Sequence, residues 1–185
     1  MRVIGGKWKS RKINILLKGS QNSIIRPTTD RVKENIFNIL ENLDNGNKIL
    51  GARVLDVFCG TGAMGIEAIS RGASFCHFID KALVSKIITE NNIKTFSCEG
   101  QTKFSLINVL ELRNSDKEKF NIVFLDPPYK KNLAEKSIEN LLKLGWINKN
   151  TLLILEKAKD ELLKLDLILI DKRIYGNTEI LFLKF

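Results

Sequence analysis

The run VLDVFCGTGAMG, Val54 to Gly65, decides the fold. It begins as a short apolar strand, passes a carboxylate at Asp56, and ends in Gly60, Gly62 and Gly65 at the spacing GxGxxG. Glycines at that spacing between a strand and a helix let backbone approach a ligand closely. Dinucleotide-binding domains share the pattern, so the glycines alone do not name the ligand. Asp56, four residues before the first glycine, discriminates. A carboxylate beside the loop would repel a pyrophosphate that a helix N-terminus otherwise attracts. It suits a ligand carrying an ammonium group, and a nucleoside–amino-acid ligand is expected over NAD.

Outward from this run, strand-like segments alternate with helical ones. ARVLDVF, SFCHFID, KFSLIN, NIVFLD and TLLILEKA read as strands, with helical or turn segments expected at 62–72, 82–95 and 110–119 and a longer helix at 132–145. LDLILIDKRI, a YGNT turn and EILFLKF read as a closing antiparallel pair. Short apolar strands alternating with helices predict a parallel α/β sheet covered on both faces. Right-handed crossovers then give an open doubly wound sheet with ligands at the strand C-terminal ends. Asp80 ends the second strand, 20 residues after Gly60, where an acid can accept from ribose hydroxyls.

The fourth strand ends in Asp126-Pro127-Pro128-Tyr129. The prolines supply no backbone N–H, so the turn can only accept hydrogen bonds. A planar amino group on a nucleobase or amide is weakly nucleophilic because its lone pair is delocalised. The Asp126 carboxylate and the Pro127 carbonyl can accept its two N–H bonds and favour a more pyramidal, more positive nitrogen in the transition state. Tyr129 can stack on the ring.

Net charge is +9, and its placement matters more than its size. Residues 1–33 carry nine basic side chains against one acid, Asp30, whereas the remaining 152 residues hold 21 basic and 20 acidic ones. Such concentration predicts a polyanionic partner, best matched by nucleic acid. Residues 1–25 read as a basic arm or hairpin outside the main core, and 26–185 as the main domain. Within the arm, Trp8 stands among Lys7, Lys9 and Arg11, either to meet RNA or to anchor the arm. In RPTTDRVKENIFNIL, Thr28, Thr29 or Asp30 can cap a helix whose apolar stripe is Val32, Ile36, Leu40 and Leu43. Cys59, Cys76 and Cys98 lack metal-ligand or disulfide spacing, His77 is expected to be structural, and no apolar run approaches the roughly 18 residues of a membrane span. A cytoplasmic protein without a metal is the resulting expectation.

Taken together, MRVIGGKWKSRKI, RPTTDRVKENIFNIL, DVFCGTGAMGIEAISRGA, FLDPPY and the Tyr175-Gly176 region resemble, in order and spacing, the bacterial 16S ribosomal RNA guanine-N2 methyltransferase family. The resemblance covers essentially the whole chain. DPPY marks the amino-methyltransferase class; RPTTDRVKE is the more specific segment. The resemblance implies a Rossmann-like, seven-stranded class I methyltransferase sheet with a small N-terminal β-hairpin arm. It implies methyl transfer from S-adenosyl-L-methionine to the N2 amino group of a guanine in 16S rRNA, within an assembled 30S subunit, by a monomer. Carried over by position, Asp56, Phe58, Gly60, Gly62, Asp80, Lys81, Asn108 and Val109 would hold the cofactor. Asp126, Pro127 and Tyr129 would hold the target base, which must be flipped out of its stack. Arg2, Lys7, Trp8, Lys9, Arg11, Lys12, Arg26 and Arg31 would meet RNA. The family commonly has an acid where Asn108 stands; the amide oxygen can still accept from the adenine amino group. A DNA amino-methyltransferase is disfavoured by the absence of an insertion for target recognition. A protein-glutamine methyltransferase would more typically carry Asn at 126, and intact loops argue against a non-catalytic assembly factor.

Overall fold

The computed structural model describes residues 1–15, 29–115, 119–128 and 132–185. Seven strands form one sheet: β1 (Arg53–Val57), β2 (Phe75–Asp80), β3 (Thr102–Leu106), β4 (Ile122–Leu125), β5 (Leu152–Ala158), β6 (Ile168–Tyr175) and β7 (Thr178–Lys184). Their order is β3-β2-β1-β4-β5-β7-β6, with β1 to β5 parallel and β7 antiparallel to both neighbours. The chain leaves β1 toward β2 and β3, then crosses back to β4. Such a reversal opens a crevice at the strand C-terminal ends. The expected doubly wound, seven-stranded Rossmann-like sheet is therefore the fold.

Period-2 alternation divides the core. Val54, Cys76, Phe78, Ile122, Phe124, Leu152, Ile154, Ile180 and Phe182 face one layer, which includes Ile36, Phe37 and Leu40 of α1 (Asp30–Asn42) and Ile66 and Ile69 of α2 (Ala63–Ser70). The intervening residues, Leu55, Val57, Val123, Leu125, Leu153 and Leu155, face Ala134, Ile138 and Leu141 of α4 (Leu133–Lys143). The third helix, α3 (Leu83–Thr95), buries polar residues, among them Thr89 and Asn92. Thr29 caps α1, its hydroxyl accepting from the Val32 N–H at 3.4 Å.

Of the helix or turn expected over 110–119 the structure forms the turn: a single 3-10 turn, Val109–Glu111, is followed by irregular chain over its described residues. Its sequence, LELRNSDKEK, offers no apolar stripe at helical spacing, and Asn108 caps only the turn. One expectation is corrected: over its described residues, 1–15, the N-terminal segment does not stand outside the core. Val3, Trp8 and Ile13 belong to the buried cluster on the α1–α2 face. Described residues of this segment form a tight loop closed by one antiparallel bridge, Arg2 to Lys12, around a 3-10 turn at Gly6–Trp8.

Buried charge holds that loop in place. Glu67 of α2 accepts from the Ile4 N–H at 2.8 Å and the Gly5 N–H at 2.7 Å. Its carboxylate also pairs with Lys33 of α1 at 3.1 Å and with Arg71 at 2.8 Å. The Lys33 ammonium donates to the Arg2 carbonyl. Burial pushes the Lys33 pKa down, and Glu67 opposes that shift. Lys33 lies inside RPTTDRVKE, so part of that segment seats the N-terminus.

Candidate active site

Sequence dictates an unusual backbone where β1 meets α2. Phe58 has φ 60°, Gly60 55° and Gly62 73°, so the loop takes three left-handed residues in five. A non-glycine residue in that region is uncommon and costs strain. At Gly62 a Cβ would also come within 2.8 Å of Thr89 Cγ2, and at Gly65 within 2.3 Å of Phe78 Cε1. Only glycines let α2 lie this close to β2.

Polar groups fix the loop from three sides. Asp80 at the end of β2 accepts from the Gly60 N–H at 3.0 Å and the Ala82 N–H at 2.9 Å. Thr89 of α3 donates to the Gly60 carbonyl at 3.0 Å. Asn92, fully buried, donates to the Thr61 carbonyl at 3.0 Å and to the Asn14 carbonyl at 2.9 Å, and accepts from the Asn14 N–H at 2.9 Å. One amide thus joins the glycine loop to the N-terminal segment. Neither Thr89 nor Asn92 stands out in the sequence, where both look like a solvated helix face.

Asp56 is 3% exposed and accepts from the Gly65 N–H at 2.9 Å. Burial pushes its carboxyl up to about 8; the Gly65 N–H opposes the shift, and Asp126 and Asp80 add to it. Between about pH 4 and pH 8 the folded chain therefore holds a proton that the unfolded chain has released. The contribution of Asp56 to stability therefore falls as pH rises through that window. Asp56→Asn, which keeps an acceptor for Gly65, is expected to flatten the decline of Tm between pH 5 and pH 8. Thermal melts of the ligand-free protein check this, and an unchanged pH slope would refute it.

Asp56, Phe58, Cys59, Gly60, Phe124, Asp126, Ile154 and Glu156 are among the residues lining a cleft of about 610 Å³ at the strand C-terminal ends. Pro127 is buried and Asp126 exposed at the cleft mouth. A smaller cleft of about 180 Å³ runs along the far side of the loop, lined by Phe58, Asp80, Lys81, Asn108 and Val109. The predicted residues of the glycine loop, β2 and β3 thus gather around Phe58, with Asp126 across the first cleft. Asn108 is turned partly inward: its oxygen accepts from the Leu110 N–H at 3.1 Å, and its amide nitrogen donates to Glu111 at 3.4 Å. Tyr129 and Arg26 lie outside the described residues.

Among the basic residues, Arg2, Lys7, Lys9, Arg11, Lys12 and Arg31 are exposed. Lys7 lies 4.3 Å over the Trp8 ring and Arg11 4.8 Å over Phe96. Trp8 differs from them: it is 9% exposed, packs 5.1 Å from Phe96, and its backbone N–H donates to Ser70 at 3.0 Å. Of the two roles left open for Trp8, the geometry supports the anchor. His77 packs 5.3 Å from Trp146 and bonds Ser105 at 2.8 Å, a structural role. All three cysteines are buried thiols, and burial pushes Cys59 and Cys76 far above the ordinary thiol range. Among the described residues no group of acids, histidines and cysteines could hold a metal, and no helix is long and apolar enough to cross a membrane.

Residues 1–184 match the family described as Conserved hypothetical protein 95. Ribosomal RNA small subunit methyltransferase D of Haemophilus influenzae is 35% identical over 87% of this chain and 80% of its own. The Escherichia coli protein of the same name is 35% identical over 84% of this chain and 74% of its own. The solved structure of yhhF from Escherichia coli superposes with a TM-score of 0.82 at 29% identity, covering 100% of this chain and 97% of that one.

Proposed function

Because the chain belongs to the Conserved hypothetical protein 95 family, and its relatives include small-subunit rRNA methyltransferases, we propose that it methylates the exocyclic N2 amino group of a guanine in 16S rRNA, with S-adenosyl-L-methionine as donor. One observation carries the reading: Asp126, which directly follows β4 and precedes two prolines that supply no N–H, lines the same cleft as the glycine loop of β1. Acceptors for an amino group thus stand beside a nucleoside cradle.

The residues present fit the proposed donor. Phe58, Lys81 and Val109 would flank its nucleoside, and the Asp80 lone pairs left over from Gly60 and Ala82 would take ribose hydroxyls. Asp56 would face the ammonium end, where a cation favours the ionised carboxylate. When bound, S-adenosylmethionine supplies an electrophilic methyl group on sulfur. Asp126 and the Pro127 carbonyl orient the guanine amino nitrogen and stabilise the positive charge it gains; its proton leaves after transfer. Tyr129 would supply the stacking wall.

Arg2, Lys7, Lys9, Arg11, Lys12 and Arg31, with Arg26, would meet rRNA phosphates in the small subunit, and Trp8 would hold the loop that presents them. Neutralising Lys7, Lys9, Arg11 and Lys12 together is expected to weaken subunit binding and lower its salt slope by roughly 0.7–0.9 for each phosphate no longer neutralised. Binding titrations over a salt series read this, and an unaltered slope would remove the loop from the RNA interface. The function itself is tested by mapping modified nucleosides in 16S rRNA from cells lacking the protein and from the same cells supplied with it. N2-methylguanosine should appear at a position that lacks it without the protein. Its absence would overturn the proposal.

A further inference from the structure

The cleft contains one more carboxylate, on β5. Leu125 and Leu155 are register partners on the parallel strands β4 and β5, so Asp126 and Glu156 follow one step later on neighbouring strands. Adjacent strands lie about 4.8 Å apart. Glu156 shares the sheet face of Ile154 and lines the same cleft as Asp126 and Asp56. Its neighbour Lys157 points to the opposite face and pairs with Glu179 at 2.9 Å, so the charge network of the β5–β7 ladder lies on the other side.

Carboxylates that end up beside one another on neighbouring strands of one cleft present a row of acceptor oxygens to a ligand. Three nucleobases carry an amino group. In adenine and cytosine the ring nitrogen beside that group is an acceptor, which a carboxylate repels. In guanine it is N1–H, a donor. The guanine edge therefore offers three N–H bonds in a row. Asp126 and the Pro127 carbonyl account for two of them, on N2.

We propose that Glu156 accepts the N1–H of the target base and so restricts this amino methyltransferase to guanine. The inference rests on the reaction proposed above. Glu156 acts as a base-reading residue; it need not touch the methyl group.

The test uses the full-length protein and reconstituted small subunits carrying either guanine or 2-aminopurine at the mapped target. In 2-aminopurine the N2 amino group is kept and N1 becomes an acceptor. Wild-type protein should favour guanine by on the order of 10- to 100-fold in kcat/KM. Glu156→Gln, whose amide can donate to N1 of 2-aminopurine, should reduce that preference by a similar factor while cofactor affinity stays within about twofold. Equal transfer by the wild type to both bases, or an unchanged preference in the variant, would overturn the role of Glu156. Absence of transfer to guanine by the wild type would instead overturn the proposed reaction. The wild-type comparison needs no variant, so the inference stays testable even if the substitution impairs folding.

Discussion

Asp126→Ala is expected to lower single-turnover methyl transfer by at least two to three orders of magnitude and to leave the fold intact. The side chain is exposed at the cleft mouth, beyond the last β4 ladder partner Leu125. Exposed substitutions of this kind usually change stability by less than about 0.5 kcal/mol. Loss of a group aimed at charge that develops in the transition state costs on the order of 10²–10³ in rate. Cofactor affinity should survive, since Asp56, Gly60 and Asp80 keep their own hydrogen bonds. Asp126 also helps raise the Asp56 pKa, so its removal should move the Asp56 titration to lower pH. Transfer from labelled cofactor to unmodified small subunits, beside equilibrium cofactor binding, measures both halves. Near-normal turnover would end the proposed role.

Glu67→Ala is the substitution expected to harm the fold most. Glu67 and Lys33 are both fully buried, and Glu67 also serves Ile4, Gly5 and Arg71. Without it, the Lys33 charge retains only the Arg2 carbonyl among these partners. Removing one member of a buried ion pair costs about 3–5 kcal/mol. At about 2–4 °C per kcal/mol for a chain of this size, Tm should fall by roughly 6–20 °C. Lys33→Met should cost less, because Glu67 keeps two backbone N–H donors and Arg71. Thermal melts of the two variants test the order. Equal losses would show that the carboxylate is not the hub of the network.

Much of the sheet could be read from the sequence because parallel strands, buried on both faces, are short and continuously apolar. Turn signals follow soon after the strands: β1 is followed by Phe58-Cys59-Gly60, β2 by Lys81 and β4 by Asp126-Pro127. The glycine loop and Asp126 were legible for a related reason: their chemistry is local, set by residues within a few positions. What the sequence hid is non-local. Val3, Trp8 and Ile13 follow no regular period, because a 3-10 turn and a single bridge shape their loop. Their packing depends on Glu67 and Asn92, residues that look like helix surface until the loop docks. Glu156 is not singled out, because TLLILEKA reads only as a strand. Strand parity could have revealed it, since Phe124 and Asp126 repeat on β4 the step that Ile154 and Glu156 take on β5.

The seating of the N-terminal loop also bears on the order in which the chain can assemble. Ile4, Gly5, Trp8 and Asn14 bond side chains 62 to 78 residues further along. During synthesis this segment emerges before its docking sites on α2 and α3, which follow roughly 3–16 seconds later at about 5–20 residues per second. Val3, Trp8 and Ile13 must wait in solvent meanwhile, amid the most positively charged stretch of the chain. Charge keeps such a stretch soluble while it waits. The same lysines and arginines that are proposed to meet RNA in the finished enzyme would thus protect the nascent chain from premature association.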